Sequence, residues 1–132
     1  MQPMPADPAA ADRTADAALE RSLAALRGGD LAAAERHWQE AAAHAPDTAR
    51  THGVRGAIAA AAGHGAEAIA AFEAALARNP DYLAARQGLA SQLEQAGRRA
   101  EALACFEQLV HQAPDAPLAR RSRILLLVGL TR

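Results

Sequence analysis

Pro46, Pro80 and Pro114 stand 34 residues apart, and each closes a run of the same pattern. The central run, Glu67 to Pro80, reads E-A-I-A-A-F-E-A-A-L-A-R-N-P. Its apolar residues recur at helical spacing, and Pro ends it by removing an amide donor and crowding the turn before it. Upstream, Ala34, Trp38 and Ala41 repeat the pattern, and downstream Ala102, Phe106 and Leu109 repeat it again. A unit this short cannot bury its own apolar face. Successive units must stack on one another to make a continuous core.

Residues 1–11 are rich in Pro and Ala without a period, which predicts a flexible lead-in to a single domain over 12–132. A helix is expected from Asp12 to Arg27, stopped by Gly28-Gly29, and Asp30 is placed to cap a second from Leu31 to about His44. Asp47 is placed to cap a third helix ending near Gly63, with Ala66 to Arg78 as its partner. The next unit runs from Asp81 to Ala96, turns at Gly97 and resumes to Gln112. Asp115 then heads a closing helix over about 116–131. No segment alternates at period two, so the expected fold is all-α.

The unit length, the small residues at fixed places and the closing Pro resemble the tetratricopeptide repeat. With each Pro at the thirty-second place, the eighth holds Ser22, Gly56 and Ala90, and the turn glycine is Gly29, Gly63 and Gly97. The twentieth is Ala34, Ala68 and Ala102, the twenty-fourth Trp38, Phe72 and Phe106, the twenty-seventh Ala41, Ala75 and Leu109. The resemblance covers roughly Ala15 to Pro117. It implies a right-handed α-solenoid of about seven helices: three repeats over about 15–48, 49–82 and 83–116, plus a C-terminal capping helix. Small residues on facing helices let backbones approach, and one ring per repeat fills the seam to the next. The departures lie in the first helix of each repeat. The fourth place holds Ala18, His52 and Arg86, the seventh Arg21, Arg55 and Leu89, and the eleventh Ala25, Ala59 and Leu93. Thin cores are therefore expected in the first two repeats.

Composition narrows the function classes. Fourteen basic residues, all Arg, stand against fifteen acidic ones, so no basic stripe invites nucleic acid. The absence of Lys and the abundance of Ala read as the coding bias of a GC-rich bacterium. One cysteine, Cys105, excludes an intrachain disulfide, and no signal-like apolar run opens the chain. The apolar run Ile124 to Val128 is too short to span a bilayer, so a cytoplasmic protein without membrane insertion is expected.

The resemblance also implies a concave groove lined by the second, fifth, ninth and twelfth places of each first helix. Those are Asp16, Leu19, Leu23 and Leu26, then Arg50, Gly53, Ala57 and Ala60, then Ala84, Gln87, Ser91 and Glu94. In the closing helix they are Leu118, Arg121, Leu125 and Val128. Leu19, Leu23 and Leu26 form one helical stripe, and an exposed apolar stripe marks a partner site. The competing reading rotates the helix and makes the same leucines core. Family members that grip acidic chaperone C-termini use a cationic clamp. The matching places here hold Leu19, Leu23, Val54, Ala84 and Gly88, none able to hold a carboxylate. The closing stretch is apolar on all sides, which points to self-association or partner contact through Ile124, Leu126, Leu127 and Leu130, rimmed by Arg120, Arg121 and Arg123.

No catalytic constellation emerges. The five histidines have no metal-ligand spacing, Cys105 has no His within a turn, and Gly28-Gly29-Asp30 lacks the GK[ST] of a phosphate loop. The expected function is a non-enzymatic module, without metal or cofactor, that binds a partner peptide or helix in the groove. Two alternatives are a self-associating scaffold, and an adaptor or accessory region of a bacterial enzyme or secretion system, with chaperone-like action in the latter.

Overall fold

The computed structural model describes residues 8–115 and Ile124. They hold six α-helices: α1 Pro8–Arg27, α2 Leu31–His44, α3 Ala49–Ala61, α4 Gly65–Arg78, α5 Leu83–Gln95 and α6 Arg99–Gln112. No strand occurs among the described residues. Of the expected closing helix only Ile124 is described, helical and exposed. Leu118, Arg121, Leu125, Leu126, Leu127, Val128 and Leu130 lie outside the described residues. At the other end α1 begins at Pro8, so residues 8–11 of the expected lead-in are helical. Pro at a first helical position forfeits no bond, because that amide has no intrahelical acceptor.

The repeat is exact in its turns. Gly29, Gly63 and Gly97 have φ of +78°, +80° and +76°, the left-handed conformation that favours glycine after a helix. The next amide then donates back to the helix in each case: Asp30 to the Ala25 carbonyl at 2.9 Å, His64 to Ala59 at 2.8 Å, Arg98 to Leu93 at 2.9 Å. The helix starts are less uniform. Asp30 caps α2, accepting from the Ala33 amide at 3.0 Å. Thr48 rather than Asp47 caps α3, through a 3.0 Å bond from the Thr51 amide to its Oγ1. Asp47 lies one residue too early for that amide. Its carboxylate instead meets His52 Nε2 at 2.8 Å and Arg78 Nε at 2.7 Å, and these bonds hold it below the usual carboxylate range.

Each hairpin pairs its two helices, and α2 then packs on α3 and α4 on α5. Among the described residues α1 also touches α3 and α3 touches α5, whereas α2, α4 and α6 do not touch one another. First helices thus crowd into an inner wall while second helices splay outward, which makes the α1–α3–α5 side concave.

The seams depend on one ring per repeat. Phe72 of α4, only 5% exposed, wedges between α3 and α5. A Cβ on Gly56 would lie 2.6 Å from its Cε1, and one on Gly88 would collide with its Cζ. Trp38 of α2 reaches α3 by donating Nε1–H to the Thr51 carbonyl at 2.8 Å, and the Arg55 guanidinium lies over its ring at 5.1 Å. Phe106 is the buried third member. Where the first helices lack large apolar residues, polar links replace them. Arg55 Nη1 pairs with Glu35 at 2.6 Å, and Arg86 Nε bonds Gln112 at 3.2 Å. Ser22 and Thr51 are buried and donate to the Ala34 and Ala45 carbonyls at 2.8 and 2.7 Å. Exposed ion pairs contribute at most about 1 kcal/mol each, so the ring seams dominate.

Replacing a mid-helix Gly by Ala ordinarily stabilises by about 1 kcal/mol. At Gly56 and Gly88 overpacking of roughly 1–3 kcal/mol opposes that gain and is expected to win. Gly56→Ala and Gly88→Ala should each lower Tm in circular dichroism melts, by roughly 4 °C per kcal/mol of net loss. A rise in Tm would show that the Phe72 ring has room to move.

Candidate functional site

Between α3 and α5, on the inner wall, lies a cleft of about 380 Å³. Leu23 of α1 closes one side. Gly53, Val54 and Ala57 come from α3, Phe72 from α4, and Tyr82, Ala84, Ala85, Gln87 and Gly88 from the start of α5. The space exists because the facing helices carry small residues there. Gly53 is covered by the Tyr82 ring, and a Cβ on it would stand 2.8 Å from Tyr82 Cε1. Half-burial pushes the Tyr82 hydroxyl up, against a small opposing effect of the Arg50 charge. No charged side chain lines the cleft; its polar groups are the Tyr82 hydroxyl and the Gln87 amide. Such a surface takes an uncharged, apolar guest and can orient it with two hydrogen-bonding groups.

Of the residues singled out in the sequence, Leu23, Gly53, Ala57, Ala84 and Gln87 converge on this cleft. Leu19 does not. It is 1% exposed and belongs to the core with Val54 and Ile58. Ala15 and Ala18 share its buried face, and partly buried Leu23 packs against the same core while also lining the cleft. Leu26 is half-buried against the same core. Arg50 is ion-paired with Asp16 at 2.9 Å and with Glu20, so its charge is engaged at the rim. Ala60 lines a different cleft at the turn edge, while Ser91 and Glu94 are exposed on α5 outside both. Sequence reasoning missed Tyr82 and Phe72 as lining residues. A usable signal was present: the chain's one tyrosine directly follows the Pro80-Asp81 pair.

The places matching the family's carboxylate clamp hold no cation, and buried Leu19 and Val54 occupy two of them. Among the described residues no group of three His, Cys, Asp or Glu could hold a metal ion. Three of the five histidines each stand beside one carboxylate: His37 by Glu40 at 3.5 Å, His52 by Asp47, and His64 by Glu67 at 3.8 Å. No described helix is long and apolar enough to cross a membrane. Cys105 is buried, and burial pushes its thiol up. A thiol reagent at pH 8 should therefore modify the native protein at least about tenfold more slowly than the denaturant-unfolded chain. Equal rates would show the thiol to be open to solvent.

Two family models described as tetratricopeptide repeat match the chain, one over residues 59–124 and the other over 19–82. No curated protein sequence matches. Among solved structures, the first TPR domain of Spaghetti (RPAP3) bound to the HSP90 peptide SRMEEVD superposes with a TM-score of 0.82 at 16% identity, covering 92% of this chain and 98% of that one. The Yersinia enterocolitica type III secretion translocator chaperone SycD gives 0.76 at 19% identity, covering 88% and 91%. The Thermobaculum terrenum O-GlcNAc transferase gives 0.79 at 24% identity, covering 96% of this chain and 23% of the enzyme. Identities at this level speak for the fold alone.

Proposed function

The chain belongs to the tetratricopeptide repeat family, and on that premise we propose that it is a non-catalytic module holding a partner peptide or helix against the inner wall of α1, α3 and α5. The observation carrying this reading is the 380 Å³ cleft, apolar and free of charged lining. Its guest is an uncharged segment presenting an apolar side chain to Leu23, Val54 and Phe72, with its backbone within reach of Gln87 and Tyr82. An acidic peptide, like the HSP90 peptide SRMEEVD of the RPAP3 complex, is disfavoured, because Arg50 is already engaged by Asp16 and Glu20. Lining by Leu23 supports this reading more than the original leucine stripe does, since Leu19 is core.

Ala84 is exposed and lines the cleft, so Ala84→Glu tests the site without disturbing the core. Peptides selected from a random display library on the wild-type protein should carry apolar anchors without acidic termini. Their affinity for Ala84→Glu should fall at least about tenfold, roughly 1.4 kcal/mol, with Tm unchanged. Selected peptides that bind the variant equally well would remove the groove reading.

One observation favours a second reading, self-association through the C-terminal stretch. Ile124 is 61% exposed, a large apolar side chain open to water. Ile124→Asp is expected to turn a concentration-dependent oligomer into a monomer in light scattering. A wild-type monomer at every concentration would exclude it.

A further inference from the structure

The cleft lined by Leu23, Gly53 and Tyr82 carries no charge, but its edge does. Asp16 and Glu20, which precede Leu23 on α1 by two turns and one, both bind the guanidinium of Arg50. Arg50 in turn stands one turn before Gly53 on α3, and its charge reaches the Tyr82 hydroxyl. The cluster therefore sits at the Tyr82 end of the cleft. Two carboxylates share one cation there, and their side chains remain 57% and 63% exposed. The neighbouring charges do not redress the balance. Asp12 and Arg13 cancel one turn earlier, Arg21 pairs with Glu40 of α2, and Arg86 is turned to Gln108 and Gln112 of α6. An apolar cleft with a net negative edge is complementary to an apolar run that has cations beside it.

One stretch of this chain has that form. Arg120, Arg121 and Arg123 stand directly before residues 124–130, I-L-L-L-V-G-L, which hold no polar side chain. Ile124 is helical and 61% exposed, and it does not line the cleft of its own chain. Covering so open an isoleucine with a second surface is favourable. On the groove reading given above, we propose that the guest is a second copy of this chain. Residues 124–130 of one protomer enter the cleft of its partner, and Arg120, Arg121 and Arg123 meet the Asp16 and Glu20 carboxylates at the edge. Charge favours this exchange over contact between two identical stretches. Three arginines on each would repel one another, whereas the groove edge attracts them.

Light scattering and sedimentation of the whole chain over a concentration series test this. The wild type should associate, while Ala84→Glu, in the groove, and Ile124→Asp, in the stretch, should each be monomeric with Tm unchanged. Mixing the two variants should give a 1:1 dimer, since one keeps a working stretch and the other a working groove. Glu20→Arg should weaken association about fivefold, as for the loss of one exposed ion pair, and Arg123→Glu in the same chain should restore it. Association of Ala84→Glu at wild-type strength would overturn the proposal in favour of contact between the two stretches. A mixture of the variants that stays monomeric, or a Glu20→Arg defect that Arg123→Glu leaves unrepaired, would overturn it as well. A wild type monomeric at every concentration would also overturn it, and would assign the groove to a different protein. The groove reading itself would then still stand or fall on the selected peptides, whose binding does not depend on self-association.

Discussion

A ring pressed between two glycines is the contact on which this array depends. Phe72 leaves α4, passes between α3 and α5, and meets Gly56 on one side and Gly88 on the other. Neither helix could carry a methyl group there and keep its distance from the other. The ring therefore sets how closely α3 and α5 approach, and a ring recurs at the same place every 34 residues. Dispersion over so flat a surface is large in sum and falls steeply with any gap. Curvature follows. First helices touch one another, second helices do not, and the wall closes inward.

Around these seams the chain does without much of the apolar volume that such repeats use. His52 and Arg86 stand where a large apolar residue is expected, and so do Arg21 and Arg55. Their side chains end on acceptors: Asp47 for His52, Glu40 for Arg21, Glu35 for Arg55, Gln112 for Arg86. Long aliphatic stems cover apolar surface while the charged heads remain wet. In the first hairpin the remedy differs. Ala15 and Ala18 leave space on the buried face of α1, and Leu19 fills it.

That last substitution explains how far the fold was readable and the site was not. The 34-residue spacing, the turn glycines and the aromatic series are properties of single positions, and backbone geometry enforces them whatever the neighbours are. The orientation of one helix about its own axis is a property of what surrounds it. For α1 the sequence offers three leucines on a stripe, and only packing decides that Leu19 is core while Leu23 reaches the cleft. The cap of α3 is a smaller case. Asp47 and Thr48 are both capping residue types, but only Thr48 stands in register with the Thr51 amide, and Asp47 turns to His52 and Arg78. Tyr82 was missed because its importance lies in Gly53, in the preceding first helix, whose missing side chain leaves room for the ring.

The two internal junctions show what a repeat protein can vary without altering its scaffold. Both are built from a turn glycine in the left-handed conformation, an alanine at the twentieth place and a ring at the twenty-fourth. One of them closes its turn edge with Ile58 and an aspartate cap; the other has Gln92 and an uncapped α4 at the same places. Neither change touches the Phe72 seam, so the array tolerates both. Repeat proteins hold together through nearest-neighbour contacts, and a loss at one edge position stays local. A bare helix start reduces stability on its own account, and here that loss stays at the turn edge, away from the ring.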